Sequence, residues 1–124
     1  MKHTFLQVAL GGALGATARY LVNIGARRWL GPEYPWATLG VNVLGSFLMG
    51  VIVVVLARKG GNHLAPFLMT GVLGGFTTFS AFALDTMTLW ERGETLLASA
   101  YVLGSVALSL AAIIAGLAVA RALA

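Results

Sequence analysis

The sequence predicts an all-α membrane protein of four transmembrane helices, with the third helix broken near mid-membrane. Of its 124 residues, 59% are hydrophobic and only 10% are charged. The mean hydropathy of +0.90 lies outside the range of a soluble domain of this length. Four apolar segments are long enough to cross the hydrocarbon core of a bilayer. These multi-pass spans cover residues 4–26, 36–57, 65–90 and 96–120, so residues 1–124 are expected to form one transmembrane domain.

The connections between the spans are short and polar. They cover residues 27–35, 58–64 and 91–95, and each contains the Gly, Pro or charged residues at which helices end. The formal net charge is +4, but the eight Lys and Arg residues occur singly or in pairs. That pattern predicts no nucleic-acid partner. The chain has no cysteine, which excludes disulfides and thiol chemistry.

The basic residues are almost equally divided between the two ends of the predicted bundle. One end carries Lys2, Arg58, Lys59 and Arg121, and the other carries Arg27, Arg28 and Arg92. Orientation in a membrane normally follows a Lys and Arg excess in the cytoplasmic connections. A difference of one charge leaves two alternatives open: insertion in both orientations, or a single orientation set by the pair Arg58 and Lys59.

Small residues recur in the first two spans at the spacing of close helix packing. The positions are Gly11 and Gly15, Gly12 and Ala16, and Gly40, Gly45 and Gly50. Such residues let helix backbones approach one another closely. Four short helices whose side chains fill the centre of a bundle leave little space for a permeating solute. We therefore expect the chain to form an oligomer.

Polar residues form stripes along two of the spans. Thr38, Asn42 and Ser46 lie four residues apart on the second span, and Tyr101, Ser105 and Ser109 repeat this spacing on the fourth. Hydroxyl groups can bond to the backbone of their own helix, so packing alone could explain Ser and Thr. The amide of Asn42 is expected to bond across helices or to line a solvated pathway.

The third span carries the string GVLGGFTTFSAFALD over residues 71–85. Its adjacent Gly74 and Gly75, followed by Thr77 and Thr78, weaken the helical hydrogen-bond ladder and predict a break. Carbonyls freed by a break at this depth are suited to a cation such as Na⁺. The alternative is an intact helix that uses the glycines for close packing.

Two further features of the spans allow more than one interpretation. Phe79 and Phe82 fall on one side of the third span and are expected to form an aromatic pair, either for packing or with electropositive ring edges facing an anion. Arg19 is the only basic residue well inside a span. It could snorkel to water, or it could attract anions into a vestibule or anchor an interface.

Three segments together resemble the Fluc (CrcB) family of fluoride channels. They are GGALGATARY at residues 11–20, WATLGVNVLGSFLMG at 36–50 and GVLGGFTTFSAF at 71–82, and the resemblance extends over essentially the whole chain. It implies an antiparallel, dual-topology homodimer with two fluoride pathways in the bacterial inner membrane. It also implies passive export of F⁻ that lowers cytoplasmic fluoride.

The resemblance assigns roles to particular residues. The fluoride pathway would include Asn42, Phe79, Phe82, Ser80, Tyr101, Ser105 and Ser109. The backbone carbonyls of Gly74 and Thr77 would hold a structural Na⁺ at the dimer centre, while Arg19 and Thr38 would lie at a vestibule or interface. The chain departs from the family pattern at Ala81 and Ala83, where members often carry Ser or Thr, and at Asp85, where Glu is common.

Two other functions are compatible with a small four-helix membrane protein. A small dual-topology multidrug exporter needs an acidic residue in its first helix for proton and cation exchange, and residues 4–26 contain none. A non-transporting membrane assembly subunit would need only the glycine spacing. The sequence has no nucleotide-binding motif, activated nucleophile or carboxylate pair, so no enzymatic activity is expected.

Overall fold

The computed structural model describes residues 2–124, and every regular element in that range is helical. Helix α1 covers Lys2–Leu30, α2 covers Trp36–Lys59 and α5 covers Thr95–Leu123. Four helical segments are long and apolar enough to cross a membrane: His3–Leu30, Trp36–Lys59, Asn62–Glu91 and Thr95–Leu123. The prediction of four long apolar helices is confirmed.

The third span consists of several shorter elements. After a 3₁₀ turn at Asn62–Leu64, helix α3 is π-helical over Pro66–Leu73 and α-helical over Gly74–Phe76. Helix α4 then covers Phe79–Glu91. Thr77 and Thr78 between them are extended, with ψ angles of 159° and 123°. The predicted break is therefore present. The wide π-helical turns that precede it were not predicted.

The break lies at the two threonines, whereas the sequence placed its start at the glycines. Gly74 and Gly75 are helical, and Gly75 packs against α1. A Cβ atom added at Gly75 would lie 2.8 Å from the Gly12 carbonyl oxygen, closer than a side chain can approach. Gly75 thus serves close packing, which the alternative interpretation proposed for both glycines, and the β-branched threonines adopt the extended conformation.

The long helices extend beyond the predicted apolar spans. Helix α1 continues through Arg27 and Arg28 to Leu30, and basic residues in a last turn interact favourably with the helix dipole. It ends before Gly31, whose φ of +86° is left-handed, with Pro32 next. Helix α2 likewise ends before Gly60, whose N–H donates to the Leu56 carbonyl. Glycine and proline, more than charge, set these helix ends.

Backbone-to-backbone packing holds the bundle together. Helix α1 packs on α3, and α2 packs on α5, where a Cβ at Gly50 would lie 2.8 Å from the Leu117 nitrogen. The predicted close approach at Gly15 is confirmed, since a Cβ there would lie 2.8 Å from the Phe76 nitrogen. Gly40 differs, because a Cβ there would meet no described atom within 4 Å.

The interior of a single chain is small, and its outside is apolar. A buried cluster contains Leu89, Ala98 and Tyr101, with Phe82 packed against it. Large apolar side chains are exposed along the whole bundle, including Phe79, which is 79% exposed. Lipid, or another protein surface, has to cover this area, because apolar side chains are stable in hydrocarbon and not in water.

Candidate permeation site at the helix break

The side chain of Asn42 closes the break from α2. Its Oδ1 accepts a 2.8 Å hydrogen bond from the Thr78 N–H, and its Nδ2 donates a 2.9 Å bond to the Thr78 carbonyl. Both backbone groups of one extended residue are thereby satisfied. The expectation that Asn42 bonds across helices is confirmed, and one of its two amide hydrogens remains for a further acceptor.

The Thr78 side chain provides the start of α4. Its Oγ1 accepts a 3.2 Å hydrogen bond from the Ala81 N–H, which makes it an N-cap. In a continuous helix, the N–H groups of Thr78 and Ala81 would instead bond to the carbonyls of Gly74 and Thr77. At the break, these two N–H groups bond to side-chain oxygens instead. The carbonyls of Gly74 and Thr77 therefore lose their helical donors.

Arg19 contacts the break from α1. Its Nε donates a 3.0 Å hydrogen bond to the Gly75 carbonyl, and the contact is partly buried. The side chain is thus directed at the break and not at the membrane surface, which contradicts simple snorkelling. Its predicted role at a vestibule or interface stays a prediction.

The carbonyls at the break fit the chemistry of a small hard cation. Those of Gly74 and Thr77 have lost their helical donors, and oxygen ligands are the kind that such cations prefer. Among residues 2–124, no group of three or more His, Asp or Glu side chains could hold a metal ion. The oxygen atoms at the break are therefore backbone carbonyls and the hydroxyls of Thr77 and Thr78.

A groove of about 370 Å³ lies beside the break, between α2, α4 and α5. It brings together five of the seven predicted pathway residues: Asn42, Phe79, Phe82, Ser105 and Ser109. Apolar side chains such as Met49, Val106 and Ile113 form much of the remaining wall. A few polar groups in an apolar groove are typical of a site that selects its ligand by hydrogen bonding.

The predicted aromatic pair is present and continues into the protein core. The rings of Phe79 and Phe82 have centroids 5.5 Å apart, and the Phe82 ring lies 5.3 Å from that of Tyr101. Tyr101 in turn meets Tyr34 edge to face at 5.7 Å. The row runs from the exposed Phe79 to the fully buried Tyr101. Its outer end borders the groove.

Ser105 lines the groove and carries a buried hydroxyl without a partner among the described residues. The residue is 6% exposed, and its Oγ has no hydrogen-bond partner within the described part of the chain. Ser109 lines the same groove one turn further along α5. Since buried polar atoms are normally paired, an unpaired hydroxyl lining a groove is suited to bind a ligand that accepts hydrogen bonds.

Tyr101 and Ser80 lie outside the groove of a single chain. The Tyr101 hydroxyl donates a 3.2 Å hydrogen bond to Asp85, and its ring packs against that of Phe82. Ser80 is exposed, with its Oγ 3.4 Å from that of Thr78. Their predicted place on a fluoride pathway stays a prediction. The Tyr101 to Asp85 bond was not foreseen, although a carboxylate inside an apolar span is a signal that such a partner is needed.

A second, smaller cavity of about 160 Å³ lies under the connection between α1 and α2. Its lining includes Thr38, which is 7% exposed, together with Asp85, Arg27 and Arg92. Arg92 also donates a 2.8 Å hydrogen bond to the Glu33 carbonyl and so ties together the two connections at this end. Thr38 is therefore placed beside a charged cavity, and its vestibule role stays a prediction.

The fold and site define a class: a multi-pass, all-helical membrane protein with a polar groove beside a broken third helix. A family model described as CrcB-like protein, Camphor Resistance (CrcB), matches residues 6–117. The chain belongs to this family, as its resemblance in sequence indicated.

Relatives of similar length support the same assignment. A protein of Paracoccus denitrificans named fluoride-specific ion channel FluC is 70% identical over 123 residues, which cover 99% of this chain and 98% of that protein. A protein of the same name in Cereibacter sphaeroides is 66% identical over 121 residues, covering 98% and 97%. Another from Mesorhizobium japonicum is 53% identical over 119 residues, covering 95% and 96%.

Proposed function

We propose that this protein is a fluoride-selective ion channel that exports F⁻ passively and so lowers cytoplasmic fluoride. The observation that carries the proposal is its 70% identity, over 99% of the chain, to a relative named fluoride-specific ion channel. It acts as a channel and not as an enzyme. A location in the bacterial inner membrane belongs to the same proposal, and the four apolar helices suit it.

The groove supplies what a bare fluoride ion needs. Fluoride is small and strongly hydrated, so a dry pathway has to replace its water with hydrogen-bond donors. The hydroxyls of Ser105 and Ser109 and the free amide hydrogen of Asn42 can donate. The ring edges of Phe79 and Phe82 add weak positive potential. A narrow path lined in this way disfavours chloride, which is larger.

The functional unit in this proposal is an antiparallel homodimer with two pathways. All three tryptophans lie at one end of the bundle: Trp29 at the end of α1, Trp36 at the start of α2 and Trp90 at the end of α4. Membrane proteins place tryptophan at both membrane surfaces, and an inverted second copy would achieve this. The near-equal division of basic residues between the two ends also suits insertion in both orientations.

A structural Na⁺ at the dimer centre is part of the same proposal. The carbonyls of Gly74 and Thr77 from each copy would hold it, because both have lost their helical donors. Gly74 is exposed on the surface of a single chain, where a second copy can approach. When bound, the ion would stabilise these freed carbonyls and join the two copies.

Efflux from liposomes tests the proposal. Purified protein is reconstituted into liposomes loaded with potassium fluoride or potassium chloride, and valinomycin is added to carry the balancing K⁺. We expect rapid F⁻ efflux without Cl⁻ efflux. Absence of F⁻ efflux would reject the channel. Uptake of a cationic dye driven by a proton gradient would instead indicate a multidrug exporter, and inactivity in every assay would indicate an assembly subunit.

A further inference from the structure

We infer that Arg19 is a positioning residue of the helix break: its Nε–H occupies the Gly75 carbonyl and keeps that oxygen from turning toward a cation held by the carbonyls of Gly74 and Thr77. The 3.0 Å bond joins residues 56 positions apart in sequence, from two different helices. The inference rests on the proposed function, which assigns the carbonyls of Gly74 and Thr77 to Na⁺.

The break creates a need for this bond. In a continuous helix, the Gly75 carbonyl would accept from the Phe79 N–H, and the extended residues Thr77 and Thr78 interrupt that ladder. A partly buried carbonyl without a donor is costly in an apolar environment. Arg19 supplies a donor from α1, just as Asn42 serves Thr78 from α2.

Close packing places Arg19 within reach. A Cβ at Gly75 would lie 2.8 Å from the Gly12 carbonyl oxygen and 3.1 Å from the Ala16 nitrogen, so the two backbones touch here. Arg19 follows Ala16 by three residues and lies on the same face of α1. Because helical side chains lean toward the N-terminus of their helix, its side chain points back to this contact. The close approach at Gly12 and Gly75 therefore brings the Arg19 side chain within hydrogen-bond distance of the Gly75 carbonyl.

The bond sorts the carbonyls at the break into two kinds. The Gly75 carbonyl accepts a hydrogen bond from the Arg19 guanidinium, whereas the carbonyls of Gly74 and Thr77 have lost donors that now bond to side-chain oxygens. Without Arg19, the Gly75 oxygen would also be free to turn toward the ion. The guanidinium thus fixes the direction of the Gly75 carbonyl.

Because Nε is the donor atom of Arg19, two substitutions can separate the hydrogen bond from the charge. The bond comes from Nε and not from the terminal nitrogens. The Nε2 of glutamine stands the same number of bonds from Cα and can donate to the same carbonyl. The terminal methyl of methionine occupies that position without a donor. Arg19→Gln and Arg19→Met both remove the charge, so they differ in the hydrogen bond.

Arg58 provides the matched control. Its Nη1 donates a 2.9 Å hydrogen bond to the Arg121 carbonyl at the other end of the bundle from the tryptophans. Arg58→Met therefore removes the same kind of arginine-to-carbonyl bond far from the break. All four proteins are purified in detergent for thermal unfolding and reconstituted for F⁻ efflux. Unfolding midpoints are compared in NaCl and in N-methylglucamine chloride at equal ionic strength.

We expect wild type, Arg58→Met and Arg19→Gln to show the same rise of the midpoint in Na⁺. Arg19→Met should lose that rise and conduct F⁻ about tenfold more slowly, as loss of one partly buried, charge-assisted hydrogen bond implies. Equal behaviour of the Gln and Met variants would overturn the inference. If both were normal, the bond would be dispensable, and if both were defective, the charge would be what matters.

Two other outcomes also decide the matter. If wild type conducts F⁻ without any Na⁺ dependence of its midpoint, the proposed Na⁺ site fails, and the efflux of the Gln and Met variants still tests whether Arg19 positions the break. If Arg19→Met does not fold, Arg19→Gln is decisive alone. Wild-type efflux in that variant would support the bond, and a tenfold loss would overturn it.

Discussion

The two halves of the third span contact the rest of the protein in different ways. Helix α3 is fixed through its backbone: Gly71 is buried, and both Gly71 and Gly75 touch the backbone of α1. Helix α4 is largely exposed, and Leu89 is its one buried residue. It begins at the Thr78 cap and presents Phe79 and Phe82 to the groove.

One span thus combines a rigid half with an accessible half. Contacts between backbones leave no room for rearrangement, so α3 is suited to hold the break in place. Side chains that are exposed at the outset of α4 are suited to meet an ion or a second copy. The two halves meet at Thr77 and Thr78, where side chains from α1 and α2 replace the helical hydrogen bonds.

Overpacking the α3 contact should have the largest effect. In Gly15→Ala the added Cβ would lie 2.8 Å from the Phe76 nitrogen and 2.9 Å from the Val72 carbonyl carbon, and backbone atoms cannot move aside. We expect a loss of about 3 kcal/mol in the free energy of unfolding, measured by denaturation in detergent. Gly25→Ala on the same helix is the control, because a Cβ there would meet no described atom within 4 Å. Equal stability of both variants would show that α3 is not held by this contact.

Loss of the Asn42 bonds should have the next largest effect, at the joint between the halves. Asn42→Leu leaves the Thr78 N–H and carbonyl without partners. We expect about 2 kcal/mol less stability and a loss of F⁻ efflux. Asn42→Asp keeps an acceptor for the Thr78 N–H but places an oxygen where Nδ2 donated to the Thr78 carbonyl, so it should recover little of the stability. A Leu variant as stable as wild type would mean that the break does not depend on α2.

The sequence predicted much of this architecture, for reasons that can be stated residue by residue. Span lengths follow from hydropathy, and the pairing of Phe79 with Phe82 follows from a three-residue step on a helix. The position of the break was predicted less well. Whether Gly74 and Gly75 break a helix or pack it depends on what lies opposite, and Gly12 lies 63 positions from Gly75 in sequence.

The same limit applies to the polar residues of the site. Asn42 needed a partner, and this followed from its chemistry, but the partner Thr78 emerged only from the folded arrangement. Arg19 allowed several interpretations until its Gly75 bond was visible. Tyr101 shares a helical stripe with Ser105, yet its hydroxyl bonds to Asp85 on α4. Periodicity identifies a face of a helix but not its neighbour.

The two phenylalanines of α4 should separate packing from conduction. Phe82 contacts the Tyr101 ring, whereas Phe79 is 79% exposed. We expect Phe82→Leu to lower the free energy of unfolding by about 1 kcal/mol through the lost aromatic contact. Phe79→Leu should leave stability unchanged, and both variants should slow F⁻ efflux. Unchanged efflux in both variants would show that the two phenylalanines serve packing alone. Helix α4 would then not present these side chains to the ion.

The smallest effect on stability, with a clear effect on efflux, is expected at Ser105, which faces the groove from α5. Its buried Oγ has no partner among residues 2–124, so Ser105→Ala removes no hydrogen bond from the folded chain. Stability should stay equal or rise by at most about 1 kcal/mol. Efflux of F⁻ should fall by about threefold to tenfold if this hydroxyl donates to the ion.

Ser99→Ala, at an exposed position of the same helix, should alter neither the stability nor the efflux. A Ser105→Ala variant that conducts like wild type would show that the ion does not use this wall of the groove. The ion would then pass the exposed start of α4 without contacting the Ser105 side of the groove.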